Sequence, residues 1–118
     1  MHDLETWVRA AGGARVEFMP GEEDDPATVE NIDARIYGSD GTCYYATFLT
    51  TNEIARILTR WLGSGEVGGG RYFWCSDLVI VPGPGLQTMA AAVDEMIRSG
   101  DIDAVLSKVG NEGERPSE

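Results

Sequence analysis

Apolar and polar residues alternate over two neighbouring stretches of the chain, and this pattern predicts a β-hairpin. The alternation runs over residues 32–36 and again over residues 44–48, with Ser39-Asp40-Gly41 between them. Period-two alternation gives a strand one apolar face, and Asp and Gly favour the turn. The opposite face of the hairpin carries a mixed and strongly aromatic set: Arg35, Tyr37, Cys43, Tyr45 and Thr47.

Two stripes of apolar residues at helical spacing follow the hairpin. The first predicts a helix over residues 51–62. Thr50 precedes this helix and Glu53 lies in its first turn, which is the spacing of a capping box. Gly63 falls where a left-handed helix cap is expected. The second stripe predicts a helix over residues 85–98.

The remaining apolar segments are shorter, and one of them is ambiguous. Residues 3–11 have a helical stripe, but they could also form a strand that pairs with residues 14–19 through a Gly12-Gly13 turn. The run "LVIV" at residues 78–81 is apolar on both faces, which is typical of a central strand. Asp101 can begin a short third helix.

This order of elements predicts an α+β fold. We expect a single domain over residues 1–109, built on an antiparallel sheet of about four strands with the two main helices packed on one face and a short C-terminal helix. Residues 110–118 contain no apolar residue, and we expect them to form a disordered tail.

The net charge of −11 is concentrated in two parts of the chain. Residues 1–34 carry nine acids and two bases, residues 35–76 carry three acids and four bases, and residues 77–118 carry eight acids and three bases. Nucleic acids and anionic membrane surfaces attract basic proteins, so this charge disfavours both as partners and favours a basic partner. The single lysine, Lys108, against eight arginines is typical of a GC-rich bacterial genome.

No segment has the features of a membrane span or a secretory signal. The longest apolar runs, at residues 78–81 and 89–93, are far shorter than the roughly 20 residues that cross a bilayer. The first residues lack the basic and apolar regions of a signal peptide, so we expect a cytoplasmic protein. There, Cys43 and Cys75 are expected to be reduced and half-buried in strands, with a disulfide between paired strands as the alternative.

Two glycine-rich loops have the composition of a phosphate site but not its setting. The Gly63-x-Gly65-x-x-Gly68 segment follows a helix, whose carboxyl end repels phosphate, instead of opening one. The second loop, "VPGPG", contains Pro82 and Pro84, which lack the N–H groups that bind an anion. Structural roles are favoured for both loops, and no cofactor is expected.

Patterns for catalysis and metal binding are weak. The only histidine is His2, near a chain end, so no cysteine or serine has an evident general base. A run of four contiguous carboxylates does not give the alternating ligands of a calcium loop. Asp77 interrupts an apolar stretch, where a buried carboxyl could act in acid or base chemistry, but a bulge or an exposed position is favoured. We therefore favour a non-catalytic protein without a metal.

Two surfaces remain as candidate binding sites. The first is the acidic run Glu22, Glu23, Asp24 and Asp25, which is expected to form a solvated loop and, as the functional alternative, suits a basic protein partner, with a second acidic patch over residues 94–103 to support it. In size and charge the chain resembles toxin-neutralising immunity proteins and inhibitors of nucleic-acid-binding proteins, which implies a non-catalytic interaction module. The second surface is the aromatic face of the sheet, which would either form extra core beneath the N-terminal segment or bind a small molecule, perform minor catalysis or form a homodimer. Its candidate residues are Tyr37, Tyr45, Phe73, Trp74 and Asp77.

Overall fold

The fold is built on one β-sheet, seen in a computed structural model that describes residues 4–65 and 72–111. The elements in chain order are a 3-10 helix Leu4–Trp7, β1 Val8–Ala11, β2 Ala14–Met19, β3 Asn31–Tyr37, β4 Thr42–Thr50, α1 Thr51–Ser64, β5 Leu78–Val81, α2 Leu86–Ser99, α3 Ile102–Val105 and β6 Ser107–Asn111. Six strands of the described residues form the sheet in the order β1-β2-β3-β4-β5, and β6 also pairs with β4. Every pairing is antiparallel except that of β4 with β5. The prediction of a single α+β domain is confirmed, with more strands than expected.

The N-terminal residues form a hairpin, so the strand alternative is confirmed for β1. Residues Leu4–Trp7 make only a short 3-10 helix, and β1 then pairs with β2 with Ala11 opposite Ala14. Gly12 and Gly13 have φ values of 55° and 86°. A two-residue turn with positive φ at both positions matches the twist of the flanking strands, and glycine adopts it without a Cβ clash.

The predicted hairpin of β3 and β4 is confirmed, and its apolar face forms the centre of the core. The turn contains Gly41, at a φ of 88°. The face is covered by α2, whose Leu86, Met89 and Val93 are fully buried. The core residues from the sheet and its connections are Trp7, Ala11, Ala14, Val16, Phe18, Val29, Ile32, Ala34, Ile36, Tyr44, Ala46, Phe48, Val81 and Leu106.

The two main helices begin and end close to the predicted residues, but they do not share one core. Thr50 Oγ1 accepts a hydrogen bond from the Glu53 N–H at 3.0 Å, as the capping pattern predicts. The left-handed cap is Gly65 and not Gly63, because α1 continues to Ser64, two residues beyond the predicted end. The one buried residue of α1, Ile57, lies outside the core cluster that α2 joins. The expectation that both helices pack on one face is therefore corrected: only α2 covers the main core.

The last two strands, β5 and β6, pair with the same side of β4, and this corrects the expectation that β5 is a central strand. β5 is not a central strand, because within the described residues it pairs only with β4, and Ile80 is 54% exposed. Residues 72–76 precede it outside any strand. The third helix ends at Val105, and Val109 lies in β6.

β6 pairs with the first half of β4 and β5 with the second half, so the two strands lie end to end. The expected disordered tail was residues 110–118, but residues 110 and 111 lie in β6, which ends at Asn111; residues 112–118 lie outside the described residues. None of the helices described is long and apolar enough to cross a membrane.

Candidate functional site

The acidic run lies in the loop that joins β2 to β3, and two of its carboxylates hold that loop in shape. Asp24 Oδ2 accepts a hydrogen bond from the Gly21 N–H at 2.8 Å, and Asp25 Oδ1 accepts one from the Ala27 N–H at 2.7 Å. Such bonds from a side chain to the backbone two or three residues away fix tight turns. The loop is therefore ordered by its own acidic residues.

The other two carboxylates of the run have no partner. Glu22 and Glu23 are exposed, and within the part of the chain that the structure describes neither makes a hydrogen bond or an ion pair. No basic residue occurs between Val16 and Ala34 in the sequence. Both carboxylates therefore face solvent without an ion pair among the described residues.

The loop is attached to the start of α2. The Gly85 N–H donates to the Val29 carbonyl at 2.8 Å, and the Leu86 N–H donates to the Pro26 carbonyl at 2.9 Å. Gly85 has a φ of 98°, and a Cβ at this position would lie 2.9 Å from the Ala27 carbonyl oxygen. Two of the N–H groups at this helix start, those of Gly85 and Leu86, are thus already bonded within the protein, which agrees with a structural role for the second glycine-rich loop.

The same loop is attached to the start of α1 through Glu30. Its carboxylate accepts hydrogen bonds from Thr50 Oγ1 at 2.7 Å, Arg56 Nη2 at 2.9 Å and Asn52 Nδ2 at 3.3 Å. The Thr50 N–H also donates to the Glu30 carbonyl at 2.9 Å. The hydrogen bond from Thr50, followed by that from Arg56, lowers the pKa of the Glu30 carboxyl below its ordinary value.

These contacts create a shallow acidic cavity of about 240 Å³ between the loop and α1. Its charged lining residues are Glu23, Asp24, Asp25, Glu30, Glu53 and Arg56. Arg56 also donates from Nε to Glu53 Oε1 at 2.9 Å, so the one guanidinium is shared between two of the carboxylates. The lining therefore keeps a negative charge after that pairing.

The second acidic patch, over residues 94–103, has partners for two of its four carboxylates. Asp94 Oδ2 lies 2.9 Å from Arg98 Nε. The Tyr44 hydroxyl donates to Asp103 Oδ1 at 2.8 Å, and Lys108 Nζ lies 3.4 Å from the same oxygen. Burial, followed by the Asp103 carboxylate, raises the pKa of Tyr44 to about 12. The patch therefore differs from the loop in its ion pairs: two of its carboxylates lie beside a basic side chain, whereas among the described residues none of Glu22, Glu23, Asp24 and Asp25 forms an ion pair.

The two tyrosines of the candidate aromatic face lie on the sheet and interact with polar neighbours. Arg15 Cζ lies 4.6 Å from the centre of the Tyr37 ring, a cation–π arrangement. Tyr45 stands opposite Arg35 in the register of β3 and β4. Burial, followed by the nearby Asp33 carboxylate, raises the pKa of Tyr45. Both rings are half-buried.

Phe73 and Trp74 lie in the segment before β5, outside any strand. The Phe73 ring stacks on Trp61 of α1, with centroids 5.4 Å apart and an interplanar angle of 12°. The Trp74 side chain is 71% exposed. Among the described residues, therefore, no direct ring stacking links the tyrosines to Phe73 or Trp74.

Asp77 joins β5 to β6. It has a φ of 55°, in the left-handed region that Asp tolerates better than most residues. Asp77 Oδ1 accepts a hydrogen bond from the Ser107 N–H at 2.8 Å, and its carbonyl accepts one from the Thr47 N–H at 2.9 Å. These bonds give Asp77 a structural position at the junction of two strands.

Cys43 and Cys75 are not joined by a disulfide. Cys43 is buried in β4, whereas Cys75 is half-buried and lies outside a strand, which corrects its predicted location. Burial raises the pKa of the Cys75 thiol, and the neighbouring Asp33 adds to this effect, so its reactive thiolate form is disfavoured. In the described part of the chain, no group of three or more His, Cys, Asp or Glu side chains could hold a metal ion.

The sequence did not identify Glu30 and Arg56 as part of the acidic site. The capping pattern at Thr50 and Glu53 was the only local signal, and it predicted a helix start without indicating a partner 20 residues earlier. In comparisons with protein-family models, curated proteins and solved structures, nothing matches this chain. The candidate site is therefore argued from its geometry alone.

Proposed function

We propose that this protein is a non-catalytic interaction module that binds a basic protein partner through the loop between β2 and β3. The observation that carries the proposal is the pairing pattern of the four acids: Asp24 and Asp25 hold the loop, while Glu22 and Glu23 are exposed and unpaired. We also expect the protein to act in the cytoplasm, as the composition of its sequence suggests.

The rigidity of the loop supports this role. Backbone hydrogen bonds attach it to α2, and the Glu30 network attaches it to α1. An ordered acidic surface loses less conformational entropy on binding than a mobile one, and its charge raises the rate of encounter with a basic partner. The shallow acidic cavity beside the loop adds Glu30 and Glu53 to the same surface.

The test compares two double variants that remove the same charge. Glu22→Gln with Glu23→Gln neutralises the unpaired carboxylates of the loop without touching the two aspartates that fix it. Asp94→Asn with Glu95→Gln removes two carboxylates from α2 and serves as the control. Each protein, carrying a tag, is used to capture partners from the native cell at low salt, and captured proteins are identified by mass spectrometry.

We expect wild type and the α2 control to capture the same basic protein and to release it as the salt concentration rises. Exposed ion pairs contribute about 0.2–1 kcal/mol each, so losing two should weaken binding of that protein by roughly 2- to 30-fold. Equal capture by the loop variant, equal loss in both variants, or a captured partner that is not basic would refute the proposal.

The alternative, a small-molecule or minor catalytic site on the aromatic face, has less support. Its residues have separate neighbours: Arg15 lies over Tyr37, Phe73 stacks on Trp61, and Asp77 bonds to Ser107. The exposed Trp74 is the one feature that favours a contact there.

A further inference from the structure

The outer edge of β1 is a place where a further strand could join the sheet. Within the described residues β1 pairs with β2 alone. A free edge presents backbone N–H and C=O groups that can pair with another chain. The Gly12-Gly13 turn determines which groups these are, because a two-residue turn makes Ala11 and Ala14 a hydrogen-bonded pair. By alternation, the backbone groups of Val8 and Ala10 point away from β2.

The Arg9 side chain occupies part of this edge. Its Nη1 donates to the Val8 carbonyl at 3.0 Å and to the Thr6 carbonyl at 2.6 Å. The Val8 carbonyl is one of the outward-pointing groups, so a strand pairing here would have to displace the guanidinium. Hydrogen bonds from a charged donor are stronger than neutral ones, which increases the cost of that displacement.

The same side chain also opposes the pairing of two identical edges. An antiparallel pair of β1 strands that used both outward-pointing residues would place Val8 of each copy opposite Ala10 of the other. Arg9 would then face the Arg9 of the second copy. Residues directly opposite each other have Cβ atoms about 4.5–5.5 Å apart, and like charges at that separation are destabilising.

We infer that Arg9 prevents the β1 edge of this protein from pairing with a second copy of the chain. It does so in two ways, since its guanidinium covers an edge carbonyl and its charge repels its own counterpart in the self-paired arrangement. This inference concerns self-association and is independent of the proposed acidic docking surface, because β1 lies at the far side of β2 from β3.

The test compares Arg9→Ala with Arg15→Ala by sedimentation equilibrium over a series of protein concentrations. Arg15 is a charge-matched control, because its loss changes the net charge equally and it lies on β2, where its side chain contacts Glu17 and the Tyr37 ring. Arg9→Ala should self-associate at least about tenfold more tightly than wild type and the control, a change of about 1.4 kcal/mol. Self-association no stronger than that of Arg15→Ala would overturn the inference.

A second variant locates the new contact. Adding Ala10→Pro to Arg9→Ala removes the outward-pointing N–H of Ala10, and proline is tolerated on edge strands whose N–H faces solvent. Circular dichroism checks that the fold is retained. The double variant should return to the self-association of wild type, and persistence of the tighter association in a folded double variant would also overturn the inference.

Discussion

Replacing Gly85 by alanine tests whether the acidic loop and α2 are held together as the structure indicates. Gly85 combines a φ of 98° with a ψ of 151°, a conformation that is essentially restricted to glycine. Its added Cβ would lie 2.9 Å from the Ala27 carbonyl oxygen, a backbone atom that cannot move without the loop. The substitution therefore both strains the backbone at the start of α2 and displaces the acidic loop.

The magnitude follows from three contributions. The backbone conformation costs about 1–3 kcal/mol for a residue with a Cβ. Weakening the bonds from Gly85 to Val29 and from Leu86 to Pro26 costs about 0.5–1.5 kcal/mol each. The reduced entropy of the unfolded chain returns about 0.4–1 kcal/mol. We expect Gly85→Ala to lower the free energy of unfolding by about 2–5 kcal/mol, the range that these three principles give together.

Urea unfolding followed by circular dichroism measures this change. The control is Gly83→Ala, two residues earlier in the same connection, where an added Cβ has no atom within 4 Å. We expect the control to stay within about 0.5 kcal/mol of wild type, as surface substitutions usually do. If Gly85→Ala is no less stable than Gly83→Ala, the loop is not held against α2 in the way described.

Two further predictions concern α1 and its contact with the loop. Gly63 lies inside α1 with open space around it, so Gly63→Ala should stabilise the protein by about 0.5–1 kcal/mol, whereas Gly65→Ala, at a φ of 80°, should destabilise it by about 1–2 kcal/mol. Thermal unfolding of both variants measures this, and shifts of equal sign would contradict the assignment of Gly65 as the cap. Because the pKa of Glu30 is lowered in the folded state, its stabilising effect is complete above the ordinary value of 4.5 and is lost as the pH falls through the lower, folded value. The difference in urea midpoint between wild type and Glu30→Gln should therefore shrink as the pH is lowered below 4.5, and a difference that does not change with pH would argue against the Glu30 network.

The elements that the sequence predicted well are those whose signals are local. The hairpin of β3 and β4 follows from alternation on both sides of a turn, and α1 follows from its apolar stripe and the Thr50 cap. β5 was wrongly expected to be central because a run of four apolar residues does not show how many strands pair with it. β6 was missed because its sequence, "SKVGN", has no alternation of apolar and polar residues.

The candidate site was predicted only in part, because some of its contacts join residues that are far apart in the sequence. The acidic run is visible as a composition, and the prediction of a solvated loop agrees with the exposed Glu22 and Glu23. Asp24 and Asp25 bond to the backbone of the loop, whereas Glu22 and Glu23 face solvent. This difference depends on the geometry of the turn, which cannot be read from composition. Arg56 and Glu30 are 26 residues apart, and only the packing of α1 against the loop brings them to 2.9 Å.

The arrangement of β5 and β6 along one side of β4 has a consequence for the order in which the chain folds. The hairpin of β3 and β4 closes a short turn, so it can form as soon as β4 has left the ribosome. The edge of β4 at Thr42–Tyr45 then has no strand on its other side until β6, which is encoded after α1 and α2, has been made. Of the segments that are paired in the described sheet, this one therefore waits longest for its partner, and until then it is open to incorrect strand pairing.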